Sequence, residues 1–410
     1  MRNFLVPIVV ASLGLTGCDL LPEVEIDTGG DVVTQAPSDS TAYTLPSGIL
    51  VVGSDYVSTD IYAADASAGL SDVLLNSGSQ TSVLSTAISG DVIMSGSASR
   101  VTHEAVLIDR TNGTLTFLDT EDNFAVLRQF TVGQAGDNPY DYAQVTDDTA
   151  FVALYFATYL QIIDPRDGQS KATVDLSEQV AQSDSTTATE TTPNASSLVR
   201  AGDTLYVVLE NGTPDYSANG TAVVVGISLA DHSIISRTEL SGKENCTSAV
   251  YAPAIQKLIV ACTGSYSGAQ VAESGLVILN VSDASAPTLH HVIESADLSD
   301  SYVFGGGLTL VGPASVAAVQ FDSWYTGTDQ VLRVDNLDGH SPAVSTLYTG
   351  SESFTLSVAA HDRSVIIADA NSTNPKLHTV SYGPEPTASV SEKDFSTGAD
   401  RLPPRGVFPY

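Results

Sequence analysis

Asn138-Pro-Tyr-Asp141 is followed by Asp148-Thr-Ala-Phe-Val-Ala-Leu-Tyr155 and then by Leu160-Gln-Ile-Ile-Asp-Pro-Arg-Asp-Gly168, and this order of runs recurs along the chain. Asn194 opens a second copy, with Asp203-Thr-Leu-Tyr-Val-Val-Leu209 and Ala222-Val-Val-Val-Gly-Ile-Ser228. Asn245 opens a third, with Gln256-Lys-Leu-Ile-Val-Ala261 and Leu276-Val-Ile-Leu-Asn280. Fainter copies centre on Ala314–Phe321 with Val331–Asp335, and on Asp362–Asp369 with Leu377–Tyr382. Each copy spans about 45–55 residues and holds four strand-sized runs, the signature of a propeller blade. A blade buries its faces only against neighbours, so the unit has to recur around a closed ring.

The rest of the chain from Gly48 onward agrees. Ile49-Leu-Val-Val52, Val106-Leu-Ile108, Leu115-Thr-Phe-Leu118 and Val365-Ile-Ile-Ala368 are short β-rich runs separated by Gly, Asp, Asn, Ser and Pro clusters. No long period of 3.6 residues competes with them, so the fold is expected to be all-β. The stretch from Asn138 to Gly168, with its Asp148-Thr149 turn, Phe151-Val152 strand and Ile163-Asp164-Pro165 end, resembles the YVTN-type repeat propellers, the YncE-like group of exported proteins. Val106 to Asp119 fits the same pattern, with Asp109-Arg-Thr-Asn-Gly113 as the turn. The resemblance covers most of residues 48 to 400, most weakly in the first and sixth blades. It implies seven blades of four antiparallel strands, the number counted here, and it specifies a fold far more than a function.

Blade 1 shows only three strands, Ile49–Ser54, Ile61–Asp65 and Val73–Asn76, while extra chain follows Tyr382. A late C-terminal segment is therefore expected to supply the missing strand, pairing the two ends and removing an exposed sheet edge.

Ahead of the repeats, Arg2 and the apolar run Phe4–Leu15 read as a secretory signal. The run is too short to cross a bilayer, which needs about 20 apolar residues. Leu15-Thr16-Gly17-Cys18 resembles a bacterial lipobox, which implies acylation of Cys18 and a stable anchor through more than one chain, palmitate among them. Asp19 resembles an inner-membrane retention signal of enterobacterial lipoproteins; the outer membrane is the other envelope address. The expected organisation is a signal peptide at 1–17, a polar tether at 18–46 with an r.m.s. reach of ~30 Å, and the propeller at 47–410.

Acidic residues outnumber basic ones 48 to 16, for a formal charge of −32. Nucleic acid is a poor partner for such a chain, because phosphate binding needs clustered Lys and Arg. With Cys18 assigned to lipid, Cys246 and Cys262 remain, and an exported chain places them in an oxidising compartment. Thr247–Tyr251 and Lys257–Ala261 read as a hairpin centred on Ala254, which puts the two cysteines opposite each other at disulfide distance.

No catalytic set emerges. His103-Glu104 lacks the second histidine of a zinc-protease motif, and the adjacent pair His290-His291 would face opposite sides of a strand. Gly264-Ser-Tyr-Ser-Gly268 has tyrosine where a nucleophile elbow needs serine, and Gly305-Gly306-Gly307 reads as a bulge or a tight blade entry. Asp164–Gly168 and Asp335–Gly339 miss calcium-loop spacing and fit turns, so no cofactor is expected, with calcium gathered from several blades left open. The loops Glu210–Gly220, Thr263–Ser274 and Asp322–Asp329 are long, and with the link Glu178–Asn194 they belong to one propeller face. They carry Tyr216, Tyr266, Trp324 and Tyr325, residue types favoured as interface anchors. The reading is a non-catalytic envelope lipoprotein that binds a protein or glycan through that face. The alternative is a lactonase-like hydrolase or a quinoprotein-like enzyme with its site in the channel.

Overall fold

A computed structural model describes residues 48–65, 69–95, 103–180, 192–213, 219–265, 270–322, 327–352, 356–361, 363–381, 389–394 and 401–410. Within them lie seven antiparallel sheets in sequence order, forming a seven-bladed β-propeller. Blades 3 to 7 each take four consecutive strands. In blade 3 these are Pro139–Thr146, Thr149–Leu154, Tyr159–Ile163 and Ser170–Asp175, from the axis outward. Blade 2 runs from Val92–Met94 to Ala125–Thr131.

Blade 1 is closed as expected. Pro404–Pro409 forms its innermost strand and pairs antiparallel with Ile49–Ser54, from Ile49 opposite Pro409 to Gly53 opposite Pro404. Gly48 and Tyr410 exchange backbone hydrogen bonds of 3.2 and 3.0 Å just beyond the ladder. The outer strand differs from the Val73–Asn76 expected: Gly69–Leu70 and Leu75–Asn76 pair separately with Thr59–Asp65. Ser71 and its neighbours break the ladder, because the Ser71 hydroxyl itself accepts the Ala63 N–H at 2.9 Å.

Burial falls from the second to the fourth strand in blades 2 to 6. Second strands such as Thr149–Leu154 and Thr204–Leu209 are buried throughout, so they read as unbroken apolar runs. Fourth strands form the perimeter; in Ser170–Asp175 only Val174 is buried. The core sits between blades. Phe151 and Leu160 of blade 3 pack with Leu198, Leu205 and Val223 of blade 4, and Tyr206 and Val208 of blade 4 pack with Leu258 and Val260 of blade 5.

Cys246 and Cys262 form a disulfide. The hairpin is centred half a residue later than Ala254: Ser248 faces Ala261 and Tyr251 faces Leu258. A bulge at Thr247 absorbs the offset and brings Cys246 opposite Cys262, with Cα atoms 3.8 Å apart. Replacing both cysteines by alanine is expected to lower stability by about 3 kcal/mol. The measurement is the urea midpoint at unchanged slope, and an unmoved midpoint would mean that the ladder alone fixes this hairpin.

The triple glycine is a bulge. Between Phe304 opposite Gln320 and Leu308 opposite Ala318, Gly305–Gly307 face one residue of the partner strand. A Cβ on Gly305 would lie 2.6 Å from the Phe321 ring, so the strand can pass there only without a side chain. No helix among the described residues is long and apolar enough to cross a membrane.

Candidate functional site at the loop face

The two faces of the ring are unlike. On one, first and second strands meet in tight turns such as Asp147-Asp148 and Gly202-Asp203. The other carries the links between blades and the loops between second and third strands. These loops are short in blades 2 and 3 and long in blades 4, 5 and 6, at 210–220, 263–274 and 323–329. The described parts of the long loops have built bases. Lys243 donates to Ala272 O at 2.8 Å, Glu273 accepts the Ser265 N–H at 3.1 Å, and Asp322 accepts the Gly327 N–H at 2.7 Å.

Each innermost strand is an edge strand whose free N–H groups need acceptors. Side chains of neighbouring blades supply them around the ring. Ala360 N–H donates to Thr309 Oγ1 at 3.2 Å, Val407 N–H to Ser357 Oγ at 3.4 Å and Phe304 N–H to Ser274 Oγ at 2.9 Å. Asp141 is the charged member of this set. Its Oδ2 accepts Leu198 N–H of blade 4 at 2.7 Å, and its Oδ1 accepts the Ser95 hydroxyl of blade 2 at 3.0 Å and Tyr142 N–H at 2.7 Å. Burial pushes the Asp141 carboxyl up to about 7 despite these donors, which act in the opposite direction.

A second buried acid sits at the loop face. Glu210 directly follows the second strand of blade 4, and its Oε2 accepts the Tyr155 hydroxyl of blade 3 at 2.7 Å. Its Oε1 is buried with no hydrogen-bond partner among the described residues. Burial raises this carboxyl to about 8, against the lowering effect of Tyr155, so at neutral pH it is largely a neutral acid able to donate a proton. Tyr155 stacks 4.9 Å from Tyr140, and Asn194 ties the cluster together: its Nδ2 donates to Tyr155 O at 3.2 Å and its Oδ1 accepts Gly212 N–H at 3.0 Å. The asparagines that open the repeat copies share a backbone role. Asn138, Asn194 and Asn245 hold φ of 53°, 48° and 50°, the left-handed turn into the innermost strand that asparagine tolerates.

Among the residues expected at the site, Tyr216, Tyr266, Trp324 and Tyr325 lie outside the described residues, as does Cys18. Tyr216 and Tyr266 belong to the loops of blades 4 and 5, and Trp324 and Tyr325 to that of blade 6. The dismissed motifs take structural roles. His103 pairs with Glu121 at 2.7 Å, Glu104 receives both Arg128 guanidinium edges at 2.7 and 2.8 Å, and His290 stacks on His340. Asp164 accepts Arg166 N–H at 3.0 Å in a turn that Gly168 completes at φ 75°. Among the described residues no three His, Cys, Asp or Glu side chains gather as a metal-ligand set. Sequence reading missed the blade-joining Asp141 and the separate Tyr155–Glu210 pair; for the pair, the signal was one carboxylate directly after the apolar run Leu205–Leu209.

No protein-family model matches the sequence, and no curated protein matches it. Solved structures do resemble it. A protein from Lactobacillus plantarum superposes with a TM-score of 0.60 at 14% identity, over 89% of this chain and 99% of that one. The periplasmic gluconolactonase of Pseudomonas aeruginosa gives 0.58 at 12% identity, over 88% and 96%. A hypothetical selenium-binding protein from Sulfolobus tokodaii gives 0.57 at 9% identity, over 90% and 95%. At such identities the likeness is one of fold alone.

Proposed function

We propose that this protein is a YncE-like envelope lipoprotein that binds a protein or glycan on the loop face of its propeller without catalysing a reaction. The observation that carries this reading is the clustering of long connections on one face, in three consecutive blades, on bases fixed by Asn211 in blade 4, Lys243 and Glu273 in blade 5 and Asp322 in blade 6. The polar groups of the innermost strands favour the same reading, because Asp141, Thr309 and Ser357 are committed to joining blades. Cross-linking in the native envelope should capture a partner with the full chain, and replacing Trp324 and Tyr325 by alanine should reduce capture at least tenfold with the thermal midpoint unchanged. Equal capture by that variant would reject the site. Cys18→Ala should move the protein from the membrane fraction to the soluble one; retention on membranes would reject the lipid anchor.

The Glu210–Tyr155 pair favours one second reading, a hydrolase that opens a lactone such as the P. aeruginosa gluconolactonase is named for. A neutral carboxylic acid is suited to protonating a leaving oxygen. Lactone hydrolysis by the purified protein, lost in Glu210→Gln, would replace the binding reading.

A further inference from the structure

At the loop face, the seam between blades 3 and 4 closes on a buried acid. We propose that Glu210 is a proton-operated latch across this seam. With its proton it sits against Tyr155 and holds the two blades together; as a carboxylate it leaves that seat for water and frees the segment 210–212.

The latch has few parts. The residues that lead into blade 4 are zipped to the segment after its second strand. Glu210 N–H donates to Asn194 O at 3.1 Å, Asn211 N–H to Pro193 O at 3.1 Å, and Thr192 N–H to Gly212 O at 2.9 Å. Tyr155 ties this pair of segments to blade 3 twice: its hydroxyl donates to Glu210 Oε2 at 2.7 Å, and its carbonyl oxygen accepts Asn194 Nδ2 at 3.2 Å. Glu210 is 3% exposed and Asn194 1%, so neither tie competes with water while the seam is closed. At the corresponding place in blades 3 and 5, directly after the second strand, stand Tyr155 and Thr263, so an acid is particular to the seam of blade 4.

Only the protonated form fits this seat. A carboxylate is acceptor-only, with about four lone-pair positions to satisfy. Glu210 is offered one donor, and its Oε1 has no partner among the described residues. Asp141 shows what a better-answered buried carboxyl receives in this ring: two backbone N–H groups and a serine hydroxyl, from three blades. A charge held in the interior by a single hydrogen bond costs far more than a neutral acid there. Tyr155 is the titratable side chain that acts on Glu210, and burial outweighs its donation. Thr192, Asn194 and Asn211 at the seam do not titrate. Tyr140 stacks on Tyr155 at 4.9 Å, and Arg110, 5.3 Å from the Tyr140 ring, is paired with Asp91.

Opening the seat returns Glu210 to water and to its ordinary value of 4.5, against about 8 when seated. Between those two values each pH unit favours the open form about tenfold, and above the upper one the gain levels off. The latch is a property of the chain itself, whether its loop face binds or catalyses.

The test is hydrogen exchange, read by mass spectrometry on the detergent-purified full chain at pH 5.5, 6.5 and 7.5, with each rate divided by the intrinsic rate at that pH. Protection of the amides of 210–212 should fall about tenfold per pH unit. At pH 7.5 these amides should exchange about tenfold faster or more than those of Leu205–Leu209, which open only with the blade. Glu210→Gln, which keeps the shape and an acceptor for Tyr155 but cannot ionise, should lose the extra slope at 210–212. Tyr155→Phe, which removes one tie and leaves the acid, should lower protection at every pH and retain the slope. A level profile in the wild-type chain, the same slope in Glu210→Gln, or equal rates at 210–212 and Leu205–Leu209 would each overturn the proposal.

Discussion

Removing residues 404–410 is expected to leave a chain that no longer unfolds in one cooperative transition. These residues form the innermost strand of blade 1, and without them Ile49–Ser54 becomes an open edge beside an incomplete ring. Phe408 and Val407 are fully buried, in contact with residues of blades 1, 2 and 7. Deleting a buried Phe side chain alone costs about 3–5 kcal/mol, against a total stability of about 5–15 kcal/mol for a typical domain. Loss of the whole strand therefore exceeds what a ring of this kind can absorb. Urea unfolding followed by circular dichroism checks both levels. The truncated chain should show a broad or absent transition, and Phe408→Ala should keep a single transition lowered by about 3–5 kcal/mol. A truncated chain that melts sharply at the original midpoint would show that closure contributes nothing.

Asp141→Ala should be the most damaging single substitution at the blade seams. It leaves Leu198 and Tyr142 N–H groups buried without an acceptor, each at about 1–3 kcal/mol, and it unlinks blades 2, 3 and 4 at one point. The same carboxyl gives stability a direction with pH. It titrates near 7 in the fold against an ordinary 3.8, so between those values the folded state holds the extra proton. Stability from this group is fully present below about pH 4, falls as pH rises to about 7, and is level beyond. Glu210, raised to about 8 from 4.5, falls in the same sense over a window that extends higher. The wild-type chain should therefore lose stability from pH 5 to pH 8. Glu210→Gln, which keeps an acceptor for Tyr155 without the charge, should lose less over that range. Urea midpoints of both proteins at pH 5, 6, 7, 8 and 9 check this, and parallel profiles would mean Glu210 is ionised in the fold throughout.

The parts of the fold legible in the sequence are those where burial imposes an unbroken apolar run. Thr149–Leu154, Thr204–Leu209 and Lys257–Cys262 are second strands with neighbours on both edges and both faces, so beyond the first residue of each the side chains are apolar. The missing strand of blade 1 could be deduced for a related reason, since a three-stranded count implied a fourth elsewhere. Innermost strands are harder. Ala195–Ala201 holds two serines and is not picked out as a strand, because a free edge needs hydroxyls, as where Ser196 Oγ donates to Cys246 O of the next blade at 3.0 Å. The role of Asp141 was hidden for the same reason: in sequence it is one carboxylate after Asn138-Pro-Tyr, and only the ring brings Ser95 and Leu198 to it. The poor match of blade 6 has its cause in Gly305–Gly307, which shift the register of that inner strand.

The hydrogen-bonded pair Gly48 and Tyr410 also fixes the side of the ring on which its two ends meet. Ile49–Ser54 runs from this pair toward the loop face, and Pro404–Pro409 runs back from it, so both ends of the ring leave on the side of the tight turns. The proposed tether before Gly48 would therefore attach on the side opposite the long loops. A partner on the loop face would then meet neither the point of attachment nor the chain that leads to it.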